Sequence, residues 1–232
     1  MRLLQYLLAA SSLIIAGCAS QPSLPPPEYP GIEQSDKIVL DNRRPSSESE
    51  NEIFSLLVTS SAYAIYRIPD TATKPTGPRL LAHRAYEKFP ELSSQPTLTV
   101  HHFVTYANLQ SRLRKSSLLA GLTGPIGVAI FNSQELPVGD VLTTQIDSSV
   151  FEKTAGPEEY TRAFFTAEEN PEKSPVNLIY IDAEMLGQRI ATRCLVPPIK
   201  DKPHLFLIEA MDMCITNHLA LYKPRGSLNV TP

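Results

Sequence analysis

Val176-Asn-Leu-Ile-Tyr-Ile-Asp-Ala-Glu-Met185, then Leu186, Gly187 and Gln188, then Arg189-Ile-Ala-Thr-Arg-Cys-Leu-Val196: this stretch decides the fold class. Apolar and polar residues alternate with a period of two on either side of a glycine, the pattern of a β-hairpin with one buried face. Ile179, Ile181, Ala183 and Met185 read as inward on the first strand, with Tyr180, Asp182 and Glu184 outward. On the return strand Ile190, Thr192, Cys194 and Val196 read as inward and Arg189 and Arg193 as outward. Gly187-Gln188 reads as the turn, and acids facing arginines on the outer side add a few tenths of a kcal/mol per pair.

Downstream, Pro203 opens a run at 204–222 with helical spacing. Glu209, Asp212, Thr216 and Lys223 make a polar stripe, and Ile208, Met211, Cys214, Ile215, Leu219 and Tyr222 lie broadly opposite, as in an amphipathic helix. Cys194 and Cys214 therefore both point to the core. They either form a disulfide tying hairpin to helix or remain two buried thiols; a bridge would add roughly 3 kcal/mol through loop closure.

Upstream, residues 97–106 alternate, which puts Leu98, Val100, His102, Val104 and Tyr106 on one face. Residues 56–68 are rich in β-branched and aromatic residues and read as a strand, and residues 37–41 read as a short strand before a polar loop at 42–51. Residues 79–89 place Leu80, Leu81, Ala85 and Phe89 at helical spacing before Pro90, so a helix is predicted there. Strands interrupted by helices, with a C-terminal β-hairpin and a packed C-terminal helix, predict an α+β two-layer domain with a mainly antiparallel sheet.

The first 17 residues carry one charge, Arg2, and an uncharged core rich in Leu, Ile and Ala. That core is shorter than the roughly 20 residues a spanning helix needs, and it reads as an export signal. Its exit, Ile15-Ala16-Gly17-Cys18, resembles the lipobox of bacterial lipoproteins. The resemblance implies cleavage before Cys18 and lipidation of that cysteine. Ala19 in place of an aspartate implies delivery to the outer membrane, at its periplasmic face. Residues 18–36 then form the lipidated cysteine and a tether rich in Pro22, Pro25, Pro26, Pro27 and Pro30, reaching roughly 55 Å if extended like polyproline. A single domain is predicted over 37–223, with a flexible tail at 224–232.

Removing residues 1–17 leaves 20 basic against 24 acidic side chains, with no basic stripe, which argues against nucleic acid as a partner. The most unusual stretch is 116–134, which carries no charge. Within it Leu118, Leu119, Gly121, Leu122, Gly124, Ile126, Gly127 and Phe131 form an apolar run with glycines at steps of three, and Arg112, Arg114 and Lys115 stand before it. It reads either as a buried helix and turn or as a segment touching membrane or a partner through apolar and basic groups.

No catalytic or metal residue is assigned. His101 and His102 are adjacent, so regular strand geometry would send them to opposite faces, and HExxH spacing is absent. The G-x-S-x-G elbow and the phosphate-loop ending are also absent, and no cofactor is expected. Val39-Leu-Asp-Asn-Arg-Arg-Pro45 resembles small envelope lipoproteins of the transport-auxiliary type over fewer than ten residues. The expectation is a non-enzymatic accessory or scaffold of the envelope, held to the membrane by lipid and contacting an envelope protein through the 112–131 segment or the loop at Arg43 and Arg44. A binding module for a lipid or other amphiphile is the alternative, and an unrecognised hydrolase the third.

Overall fold

The computed structural model describes residues 28–32, 39–55, 57, 64–90, 92, 97–108, 141–152, 177–196 and 206–223. It is an α+β fold, with seven strands in one mostly antiparallel open sheet and three helices among the described residues. The strands are β1 (Val39–Asn42), β2 (Glu52–Ile53), β3 (Ile65–Ile68), β4 (Thr97–Asn108), β5 (Leu142–Ile146), β6 (Asn177–Met185) and β7 (Gln188–Val196). The helices are α1 (Gly77–Lys88), α2 (Ser149–Glu152) and α3 (Phe206–Leu219). The sheet runs β2-β3-β4-β6-β7-β5.

The hairpin predicted from the sequence is β6–β7, paired without a break from Asn177↔Val196 to Met185↔Gln188. Its turn is Leu186-Gly187, one residue earlier than expected, with φ of 54° and 71°. Positive φ at both central residues is the type I′ loop, whose twist matches that of the strands, and Gln188 already pairs with Met185.

β4 is the longest strand and has two different neighbours along one edge. β1 pairs with Thr97–Val100 in parallel, and β3 pairs with residues 105–108 antiparallel. β6 takes the other edge. Between Val100 and His102 the β4–β6 register shifts, so that Val100 faces Ala183 and His102 faces Asp182. His101 is the extra residue of a β-bulge, which reverses the alternation after it. The single face expected for Leu98, Val100, His102, Val104 and Tyr106 is therefore split. Leu98, Val100, Phe103 and Ala107 join the core under the helices, whereas Val104 and Tyr106 join a second cluster on the opposite face.

That second cluster also corrects the outward assignment of the hairpin. Tyr180 is 1 % and Asp182 0 % exposed. Phe151 from α2, Phe54 and Ile146 cover this face around Ile65, Tyr106, Leu178 and Tyr180. Tyr180 sits edge-on to both Tyr106 and Phe151, at 6.0 and 6.3 Å between ring centres. The other face carries α1 and α3 over Ile179, Ile181, Ala183, Ile190 and Val196. α3 buries Ile208, Met211, Cys214, Ile215 and Leu219, and it carries Cys214 to Cys194 of β7 as a disulfide with Cα atoms 5.7 Å apart.

The packed chain starts earlier than Lys37. Ile32 is buried in the main core, and Tyr29 packs against it. At the other end of the core, α1 begins at Gly77, where an added Cβ would lie 2.1 Å from Phe103 Cε1. Only a residue without a side chain admits that approach of helix to strand.

Gly77→Ala is expected to lower stability by about 1–3 kcal/mol, the usual cost of overpacking, with part of the loss recovered by Phe103→Leu. Urea unfolding of the single and double variants checks this. Replacing Cys194 and Cys214 together by serine is expected to cost roughly 3 kcal/mol by the same assay.

Candidate functional site

The polar groups of the described residues concentrate where β1 stops and β3 has not begun. Here no strand among the described residues pairs with residues 101–104 of β4 on one edge. The β1 ladder extends by one bond, Arg43 N–H to the Val100 carbonyl at 2.9 Å. Beyond it, side chains replace a strand. The Phe103 N–H donates to Glu48 Oε2 at 3.2 Å, and the Phe103 carbonyl accepts from Arg44 at 3.1 Å. Arg44 also forks onto both oxygens of Asp70, at 3.2 and 2.7 Å, and its side chain is 5 % exposed. Glu48, in the short 3₁₀ turn Ser46–Ser49, contacts His102 Nδ1 at 2.6 Å through its other oxygen. Buried backbone groups must be paired, and these two charged side chains pair them.

The bulge also moves the two histidines. His101 Nε2 lies 3.5 Å from Glu184, and His102 stacks on Phe151 at 4.2 Å; both therefore stand on the second face, not on opposite faces. In-register pairing continues this polar ground across four strands, Asp41↔Thr99↔Glu184↔Arg189. Arg189 forks onto buried Asp182 at 3.0 and 2.7 Å, and Arg43 reaches Asp41 at 2.6 Å. The outward acid–arginine pairing predicted for the hairpin is thus present, but one of its acids is inside. Among the described residues no group of three or more His, Cys, Asp or Glu side chains could hold a metal ion.

A second polar cluster lies under α3. Tyr222 donates its hydroxyl proton to the Ala183 carbonyl at 2.6 Å and stands 3.3 Å from His218 Nε2. His218 Nδ1 is 2.9 Å from the Thr192 hydroxyl. The protons are all placed if Thr192 donates to Nδ1 and Nε2–H donates to Tyr222, which makes His218 a neutral imidazole. Burial pushes its pKa down to about 3, against a weaker opposing pull from Asp182, and burial likewise pushes the Tyr222 hydroxyl up.

Of the residues singled out by sequence, Cys194 and Cys214 are joined in the core. Arg43 is exposed, whereas Arg44 is an internal residue of the fold. Cys18, Arg112, Arg114, Lys115, Leu118, Leu119, Gly121, Leu122, Gly124, Ile126, Gly127 and Phe131 lie outside the described residues. Glu48, Asp182 and His218 were not singled out. Glu48 stands in the polar run Ser46-Ser-Glu-Ser-Glu50, where nothing local distinguishes it from Glu50. The bulge does leave a trace: apolar residues at 98, 100 and 103 change step from two to three at the histidine pair.

The fold and its polar ground define an α+β domain with charged side chains set against the edge of its central strand. In comparison with known proteins, the chain matches no family model, and no curated protein or solved structure is significantly similar to it.

Glu48→Ala leaves the Phe103 N–H and the His102 ring without their carboxylate and is expected to cost about 2–3 kcal/mol. Arg43→Ala, at an exposed pair, is expected to change stability by no more than about 0.5 kcal/mol; denaturant midpoints separate the two. His218 titrates near 6.5 when unfolded and near 3 when folded. Its contribution is present in full above pH 6.5 and is lost as pH falls toward 3, at about 1.4 kcal/mol per pH unit. Urea unfolding between pH 8 and 5 is expected to show this slope, and His218→Gln to flatten it.

Proposed function

We propose that the chain is a lipid-anchored protein of the bacterial envelope, tethered through Cys18 at the periplasmic face of the outer membrane. Its role is that of an accessory or scaffold in envelope assembly, transport or maintenance, exerted through contact with another envelope protein and not through catalysis. The observation that carries this reading is the buried bond between Cys194 and Cys214. Disulfides persist in oxidising compartments and are rare where cytosolic reductants keep thiols open. A structural bridge between strand and helix therefore suits a chain whose N-terminus reads as an export signal ending in Ile15-Ala16-Gly17-Cys18. Among the described residues no helix is long and apolar enough to cross a membrane.

Support for a contact-making role comes from where the charges go. Arg44, Glu48 and Asp182 bond to groups of the fold itself. Arg43, Glu184 and Arg189 keep between 44 and 64 % of their side chains exposed, and they stand on one face with mixed charge. Such a surface steers and orients a protein partner more than it adds affinity. We assign the contact to this face together with the apolar and basic 112–131 segment.

Crosslinking in intact cells followed by mass spectrometry tests the proposal, using the native chain, Cys18→Ser and a form lacking 118–131. One recurrent envelope protein, lost on either change, is the expected result. A copurified lipid without a protein partner would overturn it in favour of an amphiphile-binding module. Hydrolysis of an activated ester by the purified chain would overturn the non-enzymatic reading.

A further inference from the structure

Residues 28–32 are the part of the described chain nearest in sequence to Cys18, and they are fastened to the domain. Glu28 bridges Lys74 in parallel, and the Tyr29 N–H donates to the Lys74 carbonyl at 2.8 Å. Gly31 then turns the chain at φ 84°, a conformation that glycine adopts freely. Ile32 drops into the main core at 8 % exposure. The Tyr29 ring packs on that core with the Arg84 guanidinium 5.8 Å from its centre. Arg84 is itself anchored, to Asp212 of α3 at 2.7 and 3.1 Å and to Glu87 at 2.7 Å. The strap therefore meets both α1 and α3, on the face opposite the polar row Asp41, Thr99, Glu184 and Arg189.

We propose that residues 28–32 are a clasp that fixes the length and exit point of the tether, so that the helical layer faces the anchoring surface and the polar row faces away. The proposal rests on the reading of Cys18 as the anchor. With the clasp closed, ten Cα steps separate Cys18 from Glu28, a reach of at most about 36 Å. With it open the tether would run to Val39, twenty-one steps away, and reach about 75 Å. The clasp thus halves the distance at which the domain can work. It also decides which face a partner in the periplasm meets.

The test uses the mature chain on vesicles of phosphatidylethanolamine and phosphatidylglycerol containing a nickel-chelating lipid. A hexahistidine tag replaces residues 1–18, so the result does not depend on acylation. Energy transfer is read from a fluorophore on a non-natural amino acid, at position 184 or 213, to headgroup acceptors. Position 213 is expected to transfer more strongly than position 184; equal or reversed transfer would overturn the orientation. Twelve Gly and Ser residues are then inserted either between 22 and 23 or between 35 and 36. The first insertion is expected to lower transfer and the second to leave it unchanged. Combining Tyr29→Ala and Ile32→Ala is expected to make the second insertion act like the first. Equal loss from both insertions in the otherwise native chain overturns the clasp, even if the Tyr29/Ile32 variant fails to fold. Failure of the anchor reading is seen separately, as an exported chain whose intact mass lacks acyl groups.

Discussion

In β4, His101 is an extra residue between two pairs that β6 otherwise keeps in register. Every side chain beyond it points to the face opposite the one that strict alternation assigns. Phe103 consequently lies against α1 at Gly77, and Val104 and Tyr106 pass to the second cluster. A bulge also bends its strand and increases local twist, which suits a strand that has β1 along one half of an edge and β3 along the other. The contact of Phe103 with α1 and the second core both take their positions from this one insertion.

The gap between β1 and β3 raises a problem that charges resolve. An unpaired backbone group away from water costs about as much as a lost hydrogen bond. Arg44 and Glu48 meet both backbone polar groups of Phe103, and Asp70 and His102 in turn meet theirs. Removing one member of such a set leaves the others buried and unpaired, which is why buried charged networks resist single substitutions poorly. The short sequence Asp41-Asn-Arg-Arg44 thus serves two ends. Arg44 belongs to the interior, and Asp41 and Arg43 belong to the surface.

This division bears on function. Arg44, Glu48 and Asp182 bond to groups of the fold, and the charges left at the surface present mixed sign on one side of the sheet. The helical side carries the strap at 28–32, and if Cys18 is the anchor as proposed, the tether leaves from there. Under that proposal the domain stands between a membrane and a partner, and the disulfide from β7 to α3 joins its two layers.

Much of the architecture was legible in the residues. The period-two pattern of β6 and β7, the helical spacing of α1 and α3, and the inward cysteines follow from local geometry, because one buried face imposes one period. The sheet's second cover was not legible. Tyr180 and Asp182 alternate as solvent-facing residues do, and only Phe151, Phe54 and Ile146, distant in sequence, make that face an interior. β5 and the burial of Glu48 were equally hidden, since each depends on a partner far along the chain: β7 for β5, and Phe103 and His102 for Glu48. Local pattern carries the class of fold, the hairpin and the inward placement of Cys194 and Cys214, and it carries the export and lipidation reading; that the two cysteines join is shown only by α3 packed on β7. Tertiary structure decided which side of β4 each residue faces and which charges are internal, because a bulge and a missing strand are properties of pairing, not of composition or period.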